Sequence, residues 1–565
     1  MSLLGTIQLA TNSLNAASLG LQVTGDNIAN ANTPGYIRTR LLQTPQVPQQ
    51  QGTLLLGLGV KVDGVAQVID RYLEERLRNA GSDLASSAAQ DEAFTQLESV
   101  INELGSNDLS TSFTSFFGAI HDVVNQPESA SVRNIAVQRG GALADSIRRL
   151  DDQVRQIHVN VNDRIAGLAT DINGLLRDVA KLNEQIVAAE GGSVSPSDAA
   201  GLRDRRSIAL AQLAEIADIR TIEQPTGDVT VFSGGDFLVA QGTFRQVKVV
   251  TTAQDGLQTS EIRIAELDAP LVSSGGRLSG LLTARDSTLQ GFLTDLDDLA
   301  NTLIGEFNKI YSGGQGLSGY TSLTSEQAVP IPGVPLDAAG LAFTPGNGLF
   351  QVQVYSEASG TKTTTDIRID LNGLDADTTL NDVIAQLDAI DGISASLSFD
   401  NKLQIAADGP QLSFAFSGDT SGVLTALGLN TFFSGTGATN IGINTAVRSD
   451  PSKFAASTGG IGEDSSNATI LANFLTTPIT SRNGSTLASL YDQITTGVAQ
   501  GAQSARGAAD GLRSFQQTLE AQHLSISGVN LDEEAVRLIE YQRAYQASAR
   551  LITTINEILQ TLLSL

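Results

Sequence analysis

The chain has 565 residues, of which 41% are hydrophobic and 17% charged, and its formal net charge at pH 7 is −26. This length exceeds what one hydrophobic core supports and predicts roughly three or four domains. The acidic balance predicts repulsion from nucleic-acid phosphate and from anionic lipid, so we expect no nucleic-acid and no membrane partner. The sequence contains no cysteine, which excludes disulfides and thiolate metal sites.

The first residues, "MSLLGTIQLATNSLNAASLG", have no basic start, no sustained apolar run and no small-residue cleavage site. They are therefore not typical of a secretory signal. Nowhere is there an apolar stretch long enough to span a membrane. The sequence predicts a cytoplasmic protein or one exported by a route that leaves no cleaved signal.

The N-terminal segment carries a heptad pattern, in which small residues alternate with larger ones. Gly20 and Gly25 each weaken a lone helix by roughly 1 kcal/mol. We therefore expect this helix to be stable only when other helices cover it. The large apolar positions follow one another at spacings of four and then seven: Leu3, Ile7, Leu14, Leu21 and Ile28.

The C-terminal segment repeats this arrangement. Asn530 is followed by three acidic residues and predicts a helix start, because an amide caps free backbone N–H groups and carboxylates favour the positive end of the helix dipole. Heptads at both ends predict that the two terminal helices pair and form an assembly surface. Two lines lie along the C-terminal helix: Leu531, Leu538, Tyr545, Ile552 and Leu559, and Tyr541, Ser548, Ile555 and Leu562.

The segment "DNIANANTPGYIR", residues 26–38, ends the first helix. Asn30 and Asn32 suit a helix end, since short amide side chains bond the local backbone. Pro34-Gly35, before Tyr36, predicts the centre of a type II turn. Asn27 lies inside the helical run, where an amide that bonds a neighbouring subunit could fix the register of packing.

These terminal segments resemble a known family. "NIANANTPGYIR" is similar to the shared N-terminal motif of the bacterial flagellar rod, hook and hook-associated proteins, and "SGVNLDEEAVRLIEYQRAYQASARLITTINEILQTLL" to their C-terminal motif. Stretches 59–80, 199–216 and 427–444 look like a hook-associated member. The resemblance implies a structural protein without cofactors, which lies at the hook–filament junction, serves filament assembly and swimming, and is exported without a cleaved signal.

The resemblance also implies partners. They are further copies of the chain in a ring or helical assembly, the flagellar hook protein, the second junction protein (hook-associated protein 3), and a cytoplasmic export chaperone. Another axial protein, such as the hook subunit, is the first alternative. A secreted adhesin or peripheral enzyme that uses the outer modules is the second.

Between the ends, apolar spacing predicts helices over 63–105, from Asp108 to about 125, and over 128–190, with a kink or break at Gly140-Gly141. A stripe from Val154 to Ile186, which includes Leu175 and Leu182, predicts a bundle core. Residues 191–197 form a predicted loop. The charged residues of the next helix, Arg203, Asp204, Arg205 and Arg206, are interpreted as a solvated face or an intersubunit ion pair.

From Ile219 the period changes to alternation around Gly and Pro, which predicts a β-rich insertion. Helix resumes over 281–311, a second insertion with strands and one helix over 379–390 follows, and helix returns after Ser485. The expected fold is α+β and multidomain, with nested terminal coiled-coil helices, a helical bundle and outer β-rich domains. The predicted domains are 1–40 with 528–565, 41–215 with 281–312 and 440–527, 216–280, and 313–439.

The sequence shows no catalytic signature. His121, His158 and His523 lie far apart, and no HExxH, GxSxG or Walker A pattern occurs. An acidic stretch at 370–382 lacks the ligand order of an EF-hand and is interpreted as a solvated turn. We therefore expect no enzyme activity and no metal site.

Overall fold

The computed structural model describes residues 3–51, 54–101, 108–191, 198–254, 256–374, 376–462 and 464–564. The chain forms two compact units. The terminal unit comprises Met1–Ala93, Val159–Ser287 and Gln503–Leu565, and the middle unit comprises Phe94–His158 and Thr288–Ala502. The predicted loop at 192–197 lies outside the described residues, and so does the end of the predicted helix at 102–105.

The fold is α+β and multidomain, as expected. A π-helical turn, Ala284–Leu289, joins the sixth and seventh helices. The helices are α1 (Leu3–Ala29), α2 (Arg71–Ile101), α3 (Leu109–Asn125), α4 (Ala130–Glu190), α5 (Ala200–Ile216), α6 (Gly276–Thr283), α7 (Gln290–Ser312), α8 (Leu380–Asp388), α9 (Val423–Leu427), α10 (Thr445–Ser449), α11 (Ser466–Ala472), α12 (Leu487–Ser527) and α13 (Leu531–Ser564).

The strands pair antiparallel in small sheets. Their sheet orders are β1-β4, β2-β3, β5-β6-β7-β8, β11-β10-β9, β12-β16-β15, β14-β13-β17 and β18-β19. The strands are β1 (Thr39–Pro45), β2 (Gln49–Gln51), β3 (Leu54–Leu56), β4 (Val60–Gln67), β5 (Arg220–Glu223), β6 (Val229–Ser233), β7 (Asp236–Ala240), β8 (Thr243–Phe244), β9 (Val247–Gln254), β10 (Leu257–Ile264), β11 (Ala269–Pro270), β12 (Ser322–Thr324), β13 (Gly348–Ser356), β14 (Thr361–Ile369), β15 (Ile393–Leu397), β16 (Leu403–Ala407), β17 (Leu412–Ser417), β18 (Phe433–Ser434) and β19 (Gly442–Ile443).

In the terminal unit, asparagine side chains of α4 hold the first β-rich insertion. Asn173 accepts from the backbone N–H of Val247 and donates to its carbonyl, both at 2.8 Å. Asn183 bonds the backbone of Val229 in the same two-sided way. An amide that satisfies both groups of one strand residue replaces a missing ladder partner. These bonds fix where the insertion sits on α4.

The middle unit is built on aromatic packing. Phe116 of α3, Phe307 of α7 and the Phe432-Phe433 pair form a cluster whose ring centroids lie 4.9–5.6 Å apart. Tilted and edge-to-face rings at this spacing stabilise more than their buried area alone. The second insertion adds its own core, in which β13, β14 and β17 surround Phe350, Phe414 and Phe416.

Most predicted elements are confirmed. Asp108 caps α3 by accepting from the Thr111 N–H, the insertion helix has a Thr379–Asp382 capping box, and α12 begins at Leu487. Within the α4 stripe, the buried residues at two positions are Leu176 and Asn183, where we expected Leu175 and Leu182.

One predicted helix boundary and one predicted helix break were wrong. Residues 63–67 belong to strand β4, paired with β1, and α2 begins only at Arg71, because the Asp70 carboxylate accepts from the N–H groups of Tyr72 and Leu73 and caps the helix there. Gly140-Gly141 does not break α4, which is continuous. A Cβ at Gly140 would lie 2.5 Å from the Phe432 ring, so the glycine makes room for the aromatic cluster.

We predict opposite effects of alanine at these adjacent glycines. Gly140→Ala should destabilise the protein by about 1–3 kcal/mol, since overpacking against Phe432 exceeds the gain in helix propensity. Gly141→Ala is the matched control, because its nearest neighbour is Ile443 at 3.8 Å, and it should stabilise by up to about 1 kcal/mol. Urea unfolding followed by circular dichroism measures both. Equal effects would contradict the packing assigned to Gly140.

Candidate functional site: the paired terminal helices

Helices α1 and α13 pack against each other in the terminal unit, as the heptads predicted. The buried positions of α1 are its small and polar residues, whereas the apolar line Ile7, Leu14, Leu21 and Ile28 is half-buried. Small side chains on a seam allow two backbones to approach closely. The fully buried residues of α1 are Ala10, Ala16, Ala17, Gly20, Thr24 and Asn27.

Gly20 lies directly against the Tyr541 ring of α13. A Cβ built on it would lie 2.5 Å from the Tyr541 ring of α13. A Cβ on Gly25 would meet nothing within 4 Å. The two glycines therefore differ: Gly25 only weakens the helix, while Gly20 also forms the gap into which Tyr541 fits.

The predicted assembly residues of α13 differ in how deeply they are buried. Ser548 and Ile555 are buried, and Leu538, Tyr541, Ile552 and Leu559 are half-buried. Tyr545 is 39% exposed and Leu531 is 51% exposed, so a single chain does not bury these two. The side chains of Leu3 and Leu562 lie outside the described residues.

The Asn27 side chain, which we expected to bond a neighbouring subunit, is fully used within the chain. Its Nδ2 donates to the Thr39 carbonyl at 2.9 Å and to Glu534 Oε2 of α13 at 3.0 Å. Its Oδ1 accepts from the Thr39 N–H at 3.0 Å and from the Tyr36 hydroxyl at 2.8 Å. We call this set the Asn27 junction. It fixes register between three segments of one chain.

Glu534 is buried and carries the charge of the junction. Its Oε1 lies 3.1 Å from Arg38 Nε, and Glu533 lies 3.1 Å from Arg38 Nη1. Asn530 caps α13 as predicted, its Oδ1 accepting from the Asp532 N–H at 3.0 Å. A buried carboxylate with a guanidinium and an amide donor is compensated, and removing one partner would leave charge unpaired.

The turn after α1 has the predicted form. The Tyr36 N–H donates to the Thr33 carbonyl at 3.2 Å, and Gly35 has φ +76°, as a type II turn requires after Pro34. The Asn30 amide donates to the Asp26 carbonyl at 3.0 Å and ends the helix. Asn32 is exposed.

The prediction for the charged residues of α5 was wrong for three of the four. Arg205 is exposed, but Arg203, Asp204 and Arg206 point inward and form hydrogen bonds within the chain, whereas the sequence predicted a solvated face or an intersubunit ion pair. Arg203 holds Glu190 through two bonds of 2.7 and 2.9 Å and also contacts Glu223. Sequence reasoning missed that Arg203 pairs with Glu190 and Glu223. These glutamates lie on α4 and β5, so residue spacing within α5 does not reveal them.

Burial perturbs two groups of this cluster. Desolvation raises the pKa of Asp204 to about 6, against the lowering effect of the Gln67 amide, and lowers the pKa of Arg206 to about 10. In the folded chain Asp204 therefore holds a proton at pH values where the unfolded chain has lost it. The stability that this group contributes falls as pH rises from about 4 to about 6.

Three protein-family models match parts of this sequence. The family model described as "Flagellar hook-associated protein FlgK helical domain" matches residues 94–324. "Flagella basal body rod protein" matches 7–36, and "Flagellar basal body rod FlgEFG protein C-terminal" matches 520–565. The latter two cover the Asn27 side and the Glu534 side of the junction.

Full-length relatives carry one name. "Flagellar hook-associated protein 1" of Escherichia coli (strain K12) is 24% identical over 586 residues and that of Salmonella typhimurium 25% over 596, with 99% of both chains covered in each case. The Bacillus subtilis protein of that name is 22% identical over 566 residues, covering 99% of this chain and 97% of its own. Over its full length, the chain is similar to flagellar hook-associated proteins.

This family consists of structural proteins of the flagellum that assemble with other axial proteins. A solved structure, the flagellar hook junction protein FlgK from Burkholderia pseudomallei, is similar at 17% identity and a TM-score of 0.49, covering 80% of this chain and 100% of that one. Among the described residues, no helix is long and apolar enough to cross a membrane, and no group of three His, Asp or Glu could hold a metal ion.

We predict that Gly20→Ala separates α1 from α13, because its methyl group occupies the position of the Tyr541 ring. Gly25→Ala is the control, and it should strengthen α1 by up to about 1 kcal/mol. Limited proteolysis of the purified chain should release both terminal segments faster in Gly20→Ala and no faster in Gly25→Ala. Equal protection in the two variants would contradict the assigned contact.

We predict that Asn27→Asp disrupts the junction by placing a second carboxylate beside buried Glu534. Loss of a buried donor with uncompensated charge costs about 3–5 kcal/mol. Adding Glu534→Gln should restore much of this stability, because the new amide can donate to the introduced carboxylate. A double-mutant cycle from urea unfolding measures the coupling. Additive single effects would show that the two side chains do not interact.

Proposed function

We propose that this chain is an adaptor at the distal end of the flagellar hook and joins the hook to the filament. One observation carries the proposal: the two segments that match rod-family models fold together into one helix pair tied by the Asn27 junction. The relatives that match over the full length bear the name of a hook-associated protein, which supports a position next to the hook.

A junction has two mechanical partners, since the hook bends and the filament stays stiff. In this proposal, the α1–α13 pair takes part in the lattice that axial proteins share. The residues between the termini, which the hook-associated family model matches at 94–324, adapt this lattice to the filament. The half-exposed seam residues Leu21, Ile28 and Tyr545 are completed by neighbouring copies.

The proposal includes partners and a route. The chain binds further copies of itself, the hook protein and the second junction protein, hook-associated protein 3. A cytoplasmic chaperone covers the α13 heptads before export, and export to the flagellum removes no N-terminal segment. A chain without cysteine cannot form disulfides that would obstruct threading.

Tyr545→Ala tests the proposal in cells. Removing a fully buried aromatic costs roughly 3–5 kcal/mol, but Tyr545 is 39% exposed in the single chain. The full loss should therefore appear only in the assembly, so that filaments detach into the medium and swimming stops while the secreted protein stays folded. Tyr72→Ala is the control, because Tyr72 belongs to the same unit, is 70% exposed and lies outside the terminal helices.

Motility in soft agar, filament counts by electron microscopy and the amount of secreted protein are the measurements. Normal swimming with attached filaments in the Tyr545→Ala strain would show that this contact is not critical. Secretion of the variant together with its absence from hook ends would support the proposed position.

A further inference from the structure

A shallow cavity of about 220 Å³ opens in the terminal unit between the Pro34-Gly35 turn and helices α2, α5 and α12. Its walls are mainly apolar and come from Ile37, Leu77, Ile208 and Ala211. Ile208 is 38% exposed, and a Cβ added at Gly35 would lie 2.6 Å from its side chain. We call this cavity the groove. Its volume is that of one or two aliphatic side chains.

The rim of the groove carries two glutamates, Glu215 of α5 and Glu520 of α12, both exposed. Neither carboxylate forms an ion pair with a basic side chain among the described residues. Another rim residue, Glu74, differs, since it already accepts from Ser207 and pairs with Arg78. The groove is therefore an apolar depression with two free negative charges at its edge.

Helix α13 has a complementary surface on the side turned away from α1. Val536 and Ile539 are 56% and 48% exposed, and the helical repeat places them on the face opposite Tyr541. Arg543 and Arg550 continue this face, are exposed, and form no ion pair with the described carboxylates. We call these four residues the ridge. An apolar helix face that ends in unpaired guanidiniums matches an apolar groove with unpaired carboxylates.

We propose that the ridge of one copy docks into the groove of a second copy. This inference rests on the proposed function and deepens it, because it names the surfaces by which copies associate. Ridge and groove are different surfaces of one unit, so the contact is heterologous, and each copy can give one ridge and receive another. Such a contact extends into a ring or a helical row instead of closing as a dimer.

Charge favours a copy of this chain as the occupant. The net charge of −26 opposes close approach of any two copies. At this contact, however, the two guanidiniums of the ridge meet the two carboxylates of the groove, and this local attraction offsets the repulsion. Stable interfaces bury about 800 Å² on each partner, more than a few turns of helix provide. A single contact is therefore weak, and association becomes strong only when each copy makes two.

The absence of cysteine in the chain allows a direct test. Val536→Cys marks the ridge and Ile208→Cys marks the groove, each in an otherwise unchanged full-length protein. The two proteins are mixed at high concentration and oxidised, and cross-linked species are resolved on a non-reducing gel. Val272→Cys, on a 63% exposed residue of the first β-rich insertion in the same unit, gives the background. Ile539→Cys gives a second ridge position, and circular dichroism checks that each variant folds.

The expected result is a heterodimer in the mixture, formed several-fold more than by either protein alone or by mixtures with Val272→Cys. The chain carrying both Val536→Cys and Ile208→Cys should give a ladder of multimers. Dimers formed as readily by the ridge variants alone would indicate a symmetric contact and overturn the proposal. The proposal would also be overturned if neither Val536→Cys nor Ile539→Cys cross-links to Ile208→Cys more than to Val272→Cys.

The cysteine-free parent separates this test from the proposed function. If it occupies hook ends and supports swimming while the cysteine variants fail to cross-link, the docking geometry is wrong and the adaptor function stands. If the parent is absent from hook ends, the proposed function itself fails.

Discussion

The terminal unit depends on the compensation of one buried carboxylate. Glu534 lies 1% exposed on α13, and its charge is stabilised by Arg38 and by the Asn27 amide. Because Asn27 also holds Thr39 and Tyr36, the same side chain that compensates the charge fixes the strand and the turn that follow α1. The position of the Pro34-Gly35 turn, and with it one wall of the groove, follows from that bond set.

Small residues set the distance between the two terminal helices. Alanine, glycine and threonine lie on the buried side of α1, and Tyr541 occupies the gap that Gly20 leaves. The larger heptad residues stay half-exposed at the edges of the seam. An isolated pair thus buries little large apolar surface, which restricts its own stability. The same half-exposed residues remain available for packing by further helices, as the proposed assembly requires.

The sequence predicted the elements better than their partners. Heptad and alternating patterns located α1, α13 and the strands of both insertions, because periodicity is a local property. Residue spacing could not distinguish Gly140 from Gly141. Only Gly140 packs against the ring of Phe432, a residue 292 positions later in the sequence. Spacing also failed for Arg203 and Arg206, whose carboxylate and amide partners lie on α4 and β5. Charges on a helix look the same in sequence whether water or a distant side chain solvates them.

Asn27 and Glu534 are separated by 507 positions. A chain that ends before Leu531 lacks α13, and with it the Glu534 carboxylate and the Tyr541 ring. The small-residue face of α1 is then exposed to water. The N-terminal helix of such a truncated product has a seam of small and polar side chains, which buries little apolar area against any other surface. Only a chain that contains both α1 and α13 can therefore form the Asn27 junction.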